Sequence, residues 1–115
     1  MINTQTLARP YAKAAFEFAS AAGQIDAWSG MLSLAAVAVD VPQVTELLKN
    51  PRLTSESKVQ TLVQLFGSDI DEAFRNFVST LGDNDRLDVL PTIRELFEEL
   101  KAEAEKTLDV EVQTA

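Results

Sequence analysis

The sequence contains no cysteine and no histidine among its 115 residues. It therefore lacks the side chains used for disulfides, thiolate nucleophiles, imidazole general bases and most zinc sites. Two aspartate pairs, Asp69 with Asp71 and Asp83 with Asp85, have the first spacing of a calcium loop, but the glycine and distal glutamate required in register are missing. We interpret both pairs as helix starts, where carboxylates offset the helix dipole. The sequence predicts no catalytic residue, no metal and no cofactor.

Long hydrophobic runs and an excess of positive charge are also missing. The longest apolar run, residues 34–39, is far shorter than the roughly 20 residues that span a bilayer, and the N-terminus lacks a basic region followed by a hydrophobic segment. Ten basic residues against 18 acidic ones give a net charge of −8, which repels nucleic-acid phosphates and anionic lipid headgroups. We expect a soluble, unsecreted chain with no direct membrane insertion and no nucleic-acid partner.

Apolar residues at helical spacing dominate what is present, and a hydrophobic content of 46% is enough to fill one core. Capping residues, prolines and glycines bound the helices, with Thr54 or Ser55 expected to cap the fourth and Ser68 or Asp69 the fifth. Glycines are expected to end helices at positions 23, 67 and 82. The predicted ranges are residues 4 or 6 to 22, 25 or 26 to 39, 42 to 50, 54 or 55 to 66, 68 or 69 to 82, and a long sixth helix after the turn at 82–85. The predicted fold is an all-α six-helix bundle.

The last residues follow a different pattern. After a run of alanine, glutamate and lysine that begins at Lys101, the apolar residues Leu108, Val110 and Val112 alternate with polar ones, which predicts the start of a strand. A single strand is not stable alone, so this segment is either a disordered tail or the front of a longer protein. We predict a bundle domain over residues 1–105, followed at 106–115 by a linker and the start of a truncated C-terminal domain.

The first helix has more apolar surface than the edge of a small bundle needs. A surface helix buries an arc of roughly 100°, whereas two adjacent stripes here cover about 200° at 100° per residue. One stripe contains Leu7, Tyr11, Ala14, Ala15, Phe18 and Ala22, and the other contains Ala8, Ala12, Phe16 and Ala19. Either this helix runs through the centre of the bundle, or one stripe packs inward and the other binds another protein.

Three stretches, in order and correctly separated, resemble the N-terminal domain of the delta subunit of bacterial F-type ATP synthases, the family of the mitochondrial oligomycin-sensitivity-conferring protein. The resemblance covers essentially the whole chain, but the glycine-containing signature of the family's C-terminal domain is absent. The first stretch is residues 8–16, with the sequence ARPYAKAAF. The second contains Asn50, Pro51, Leu53, Thr54, Glu56 and Lys58. The third contains Asn84, Arg86, Leu87, Leu90, Pro91, Ile93 and Phe97.

The resemblance implies a non-catalytic stator subunit that holds the N-terminal helix of an alpha subunit in a groove between its first and fifth helices. It implies further that b-type stalk subunits contact the missing C-terminal domain, and that the complex lies at the cytoplasmic face of a bacterial inner membrane. We expect the chain alone to be a monomer. The residues predicted to bind the alpha subunit are Leu7, Tyr11, Ala14, Ala15, Phe18, Ala73, Asn76, Phe77 and Thr80.

Two other functions remain open on the sequence alone. One is an unrelated helical adaptor domain that binds an amphipathic partner helix. The other is an enzyme that uses a pair of carboxylates, as some glycosidases do, although no such pair is flanked by a recognisable cleft. Trp28 is expected to be an anchor in the core or at the edge of the groove, since tryptophan is usually buried.

Overall fold

The computed structural model describes residues 4–114, with side chains for residues 4–106. Its helices are α1 (Thr4–Ala22), α2 (Ile25–Asp40), α3 (Pro42–Lys49), α4 (Ser55–Phe66), α5 (Glu72–Asp83) and α6 (Leu90–Thr114), with short 3-10 turns at Gly67–Asp69 and Leu87–Val89. No strand occurs in this part of the chain. The predicted all-α fold with six helices is confirmed.

The helix boundaries follow from local capping, and two of them differ from the prediction. Thr54 caps α4 as expected, because its side chain accepts a hydrogen bond from the backbone N–H of Ser57. Neither Ser68 nor Asp69 caps α5; the cap is Asp71, whose carboxylate accepts a 2.8 Å hydrogen bond from the Phe74 backbone. A helix N-cap has extended backbone geometry. Residues 67–69 form a separate 3-10 turn, so Asp71 is the first carboxylate here with that geometry.

Gly82 does not end α5, contrary to the prediction. It is a buried residue within the helix, where an added Cβ would collide with a side-chain methyl of Val59 on α4. Glycine at this position therefore allows α4 and α5 to approach closely. The pair Asp83 and Asp85 is not a helix start: Asp83 is the last residue of α5, and Asp85 has a left-handed backbone with φ of 58° in the following turn. The expected glycine ends at Gly23 and Gly67 are confirmed, with φ of 67° and 60°.

The predicted strand near the end of the chain is wrong, because the backbone of α6 stays helical through Thr114. The alanine, glutamate and lysine residues that precede it are strong helix formers, and adding a residue to an existing helix is easier than starting a strand that has no partner. The predicted domain boundary at residues 105 and 106 falls inside this helix. The alternating side chains on which the strand prediction depended lie outside the described ones.

The core is formed mainly where α6 packs against α1 and α2, and α5 packs against α4. The face of α1 that turns inward carries only small side chains, because its buried residues are all alanines: Ala8, Ala12, Ala15 and Ala19. We call this set the alanine ridge. Beside it, the ring of Phe16 packs edge-on against Phe97 of α6, with the ring centres 5.5 Å apart. The largest fully buried side chains are Trp28, Phe74 and Phe97.

Two polar contacts join α6 to α2. The hydroxyl of Ser29 donates to Glu98 at 2.5 Å, and Lys101 pairs with Asp26 at 3.2 Å.

Over the described residues, no single helix is long and apolar enough to cross a membrane; α2 and α3 reach that length and composition only as a pair, with an 82° bend between them.

Candidate partner-binding cleft

An open cleft lies between α1 and α5, with α2 beneath it. Its volume is about 270 Å³ and its lining is mainly apolar. We call it the α1–α5 cleft. It is lined by Ala14, Ala15, Phe18, Trp28, Ala73, Asn76, Phe77 and Thr80. Because α1 packs chiefly on α6 and α5 on α4, the two walls belong to different parts of the bundle and leave a trough between them.

Aromatic rings form one end of the cleft. Trp28 is only 2% exposed, and its ring lies 5.5 Å from Phe18, 5.2 Å from Phe74 and 5.4 Å from Phe77, measured between ring centres. Phe18 is 48% exposed although it contacts this buried cluster. The indole N–H of Trp28 is buried and has no hydrogen-bond acceptor among the described residues, so packing alone holds the ring in place.

The structure brings together seven of the nine predicted site residues. They are Ala14, Ala15, Phe18, Ala73, Asn76, Phe77 and Thr80. The other two, Leu7 and Tyr11, do not line the cleft. Both are half-buried on α1, and Tyr11 packs against the margin of the core. They precede Ala14 by one and two helical turns, so the described cleft is shorter than the predicted stripe. That any of the nine binds an alpha subunit stays a prediction.

The exposure of α1 decides between the two explanations given above for its apolar excess. The alanine ridge is at most 1% exposed, whereas Ala14 and Phe18 on the neighbouring stripe are exposed. The explanation that α1 runs through the centre of the bundle, enclosed on all sides, is therefore wrong. One apolar face of α1 is left open by its own chain.

Trp28 was expected in the core or at a groove edge, and the structure gives it both roles. The sequence left both positions open, because the neighbours of Trp28 on α2 at helical spacing, Met31, Leu32 and Ala35, are ordinary core residues. The contribution of α2 depends on how three helices meet, which the period of a single helix does not reveal.

Apart from the buried indole N–H of Trp28, the polar side-chain groups of the cleft lie on α5. The Thr80 hydroxyl donates to the backbone carbonyl of Asn76 at 3.0 Å, so its donor is already used. The carboxamide of Asn76 is exposed and makes no hydrogen bond among the described residues. Helical spacing puts Glu72 one turn before Asn76 and Asp83 two turns after it, and both are exposed. The outer edge of this wall is therefore acidic.

A larger cleft of about 540 Å³ lies elsewhere, between the end of α2, α3 and the start of α6. Its lining is mixed in charge and includes Lys49, Lys58, Asp85 and Asp88. We regard the smaller cleft as the better candidate for a partner helix, because a helix binds through an apolar face and only the smaller cleft has a mainly apolar wall. The described side chains contain no group of three or more acidic residues placed to hold a metal ion.

The fold and this cleft define a class of protein: a small helical bundle with an open apolar trough between two helices. Comparison with known proteins makes the assignment more specific. The family model for the ATP synthase delta (OSCP) subunit matches residues 7–115. The chain is 75% identical over 115 residues to ATP synthase subunit delta of Stutzerimonas stutzeri, 70% identical to that of Azotobacter vinelandii and 63% identical to that of Ectopseudomonas mendocina.

The chain belongs to the ATP synthase delta (OSCP) subunit family. The resemblance inferred from the three sequence stretches is thereby confirmed, and an unrelated adaptor is not favoured. In each of these comparisons all of the chain aligns, but it spans 65% of the relative's length.

Proposed function

We propose that this chain is the alpha-subunit-binding part of a stator subunit of F-type ATP synthase, and that the α1–α5 cleft holds the N-terminal helix of one alpha subunit. The observation that carries the proposal is the cleft itself. Two walls predicted from separate parts of the sequence meet at one apolar trough, with Phe18 exposed beside it. Membership in the delta family supports the identity of the partner.

The chemistry of the cleft suits a docked amphipathic helix. Ala14 and Ala73 face the trough from opposite walls and lack bulk, so the backbone of a helix can come close to both. Apolar side chains of the partner would cover Phe18 and extend the aromatic cluster around Trp28. Desolvated aromatic anchors of this kind dominate binding energy and slow dissociation more than charges at the rim do.

Slow dissociation is what a stator needs. Rotation of the central shaft applies torque to the alpha and beta subunits, and an outer stalk has to hold them still for rotation to drive ATP synthesis. In this proposal the chain is a clamp and performs no catalysis. In the relatives, the part of the length that this chain does not span would contact the b-type stalk subunits, and we propose that the complex lies at the cytoplasmic face of the bacterial inner membrane. The chain by itself would be monomeric.

A titration tests the proposal directly. A synthetic peptide of about 20 residues, long enough for a helix of about 30 Å, is taken from the N-terminus of the alpha subunit of Stutzerimonas stutzeri. It is added to the 115-residue chain, and binding is followed by calorimetry and by the fluorescence of Trp28, the single tryptophan. We expect saturation at one peptide per chain and a change in the tryptophan emission. An absence of saturation would refute the proposal.

A pair of matched variants locates the binding site. Ala14→Asp puts a carboxylate into the apolar trough, where burying it without a partner is costly, and we expect affinity to fall about tenfold or more. Ala102→Asp adds the same charge at an exposed alanine of α6 that does not line the cleft, and should leave affinity unchanged. Equal affinities for the two variants would move the binding site away from α1.

A further inference from the structure

Two polar groups among the residues that line the α1–α5 cleft have no hydrogen-bond partner among the described residues: the buried indole N–H of Trp28 and the exposed carboxamide of Asn76. The indole is already buried in the free protein, so a docked helix would change the surroundings of Asn76 instead. Thr80 uses its hydroxyl hydrogen on the Asn76 backbone carbonyl at 3.0 Å, and the Asn84 side chain donates to the Thr80 carbonyl at 3.0 Å. Both of these groups have partners in the free protein. The carboxamide of Asn76 has none among the described residues, and only water can satisfy it while the cleft is open.

A helix that docks in the cleft would remove that water. An amide offers two donors and one acceptor with two lone pairs, and burying one without compensation costs free energy, whereas a matching polar side chain restores the loss. The other side chains of the same wall offer no donor for the amide oxygen, since Ala73 and Phe77 are apolar and Thr80 has already used its donor, although the Thr80 oxygen can still accept from the amide NH2. The donor that compensates the amide oxygen has to come from the docked helix.

We infer that Asn76 sets the register of the helix that docks in the α1–α5 cleft, by requiring one hydrogen-bonding side chain on the otherwise apolar face of that helix. A single buried asparagine has this effect in coiled coils, where it fixes register at a cost in affinity. A partner shifted by one turn would set an apolar side chain against the amide and lose affinity. This inference rests on the proposed function and adds a rule for which helix, and which alignment of it, is accepted.

The test is a leucine scan of the alpha-subunit peptide described above, read by calorimetry against three proteins: the unchanged chain, Asn76→Leu and Ser79→Leu. Ser79 is the matched control, because it is an exposed polar residue of α5 that does not line the cleft. Asn76 is itself exposed, and leucine is a better helix former than asparagine, so the variant is expected to fold. Circular dichroism checks this.

We expect one polar position of the peptide at which leucine weakens binding to the unchanged chain about tenfold. Asn76→Leu should bind the leucine-substituted peptide and the unsubstituted peptide with equal affinity. Ser79→Leu should behave like the unchanged chain. A spin label at one end of the peptide gives a second readout. In nuclear magnetic resonance spectra of the unchanged chain, the label should broaden the resonances of residues at one place in the cleft, which indicates one register of the peptide. In Asn76→Leu it should broaden resonances along the whole cleft, which indicates several registers.

The outcomes separate this inference from the proposed function. If the unsubstituted peptide does not saturate the unchanged chain, the proposed function fails and the inference fails with it. If the peptide binds but every leucine replacement has the same effect on the unchanged chain and on Asn76→Leu, only the inference is overturned.

Discussion

Two phenylalanines of α1, only two residues apart in the chain, have opposite surroundings. Phe16 contacts Phe97 and Phe18 contacts Trp28, in each case with the ring centres 5.5 Å apart. Phe16 is half-buried on the side that packs into the bundle, whereas Phe18 is 48% exposed on the cleft side. Contact with a buried ring therefore does not distinguish the two roles. What distinguishes them is whether the chain covers the other face of the ring.

The largest expected effect tests the inner side of this comparison. Phe97→Ala removes the buried ring against which Phe16 packs, and we expect it to lower the free energy of unfolding by about 3–5 kcal/mol, as is usual for a fully buried phenylalanine. Phe18→Ala should cost about 1 kcal/mol or less, because half of its ring is already in water. Urea denaturation followed by circular dichroism measures both values. Equal losses would mean that Phe18 belongs to the core.

The next effect tests the cleft side. Phe18→Ala should weaken binding of the alpha-subunit peptide by about 2 kcal/mol, the size expected for an aromatic hot spot. Tyr11→Ala should weaken it less, because Tyr11 lies outside the described lining. Calorimetry on both variants gives the order. If Tyr11→Ala proved the more damaging, the bound helix would have to extend along α1 towards its N-terminus.

The smallest effect concerns the contact between α2 and α6, far from both phenylalanines. The hydrogen bond from Lys101 to Asp26 raises the pKa of the lysine above its ordinary value of 10.5. A raised pKa stabilises the fold below the ordinary value, and this contribution disappears as the pH rises through the raised pKa. The Asp26 side chain is 94% exposed, so the effect is small.

The check is the difference in Tm between the unchanged chain and Asp26→Asn. We expect a small decrease for the variant near neutral pH, which shrinks as the pH rises through the raised pKa of Lys101. A remainder should persist, because Asp26 lies in the first turn of α2, where its charge offsets the helix dipole. Peptide binding should be the same for both proteins at every pH. A difference in Tm that did not shrink as the pH rose through the raised pKa would show that the ion pair with Lys101 does not stabilise the fold.

Much of the fold could be predicted because it depends on local rules. Helical spacing located all six helices. Two helices end at glycines with a left-handed backbone, Gly23 and Gly67, and α4 begins at the side-chain cap of Thr54. Gly82 was misinterpreted because its role is tertiary: it makes room for Val59 of another helix. The strand prediction failed for a related reason, since an alternating pattern specifies a strand only when a second strand is present to pair with it.

The cleft could be predicted in part for the same physical reasons. Counting apolar stripes on α1 showed that one face was in excess, and the edge of the apolar stripe on α5 identified Ala73, Asn76, Phe77 and Thr80. The length of the cleft along α1 depends on where the two walls diverge, which the sequence does not show. Leu7 and Tyr11 lie outside the described lining, and their part in binding stays a prediction. Trp28 comes from a third helix, and no pattern within one helix predicts which other helix lies beneath it.

The alanine ridge has a mechanical consequence. Alanine has no side-chain torsion to reorder, so the fully buried face of α1 has few alternative arrangements of similar energy, and reordering of side chains where it meets α6 falls to α6. A seam of leucines or methionines could shift its rotamers under a pull and allow the helices to slide. Here the α1 side of the contact cannot change rotamers, so a force applied to α1 would be transmitted to α6 with less sliding than in such a seam.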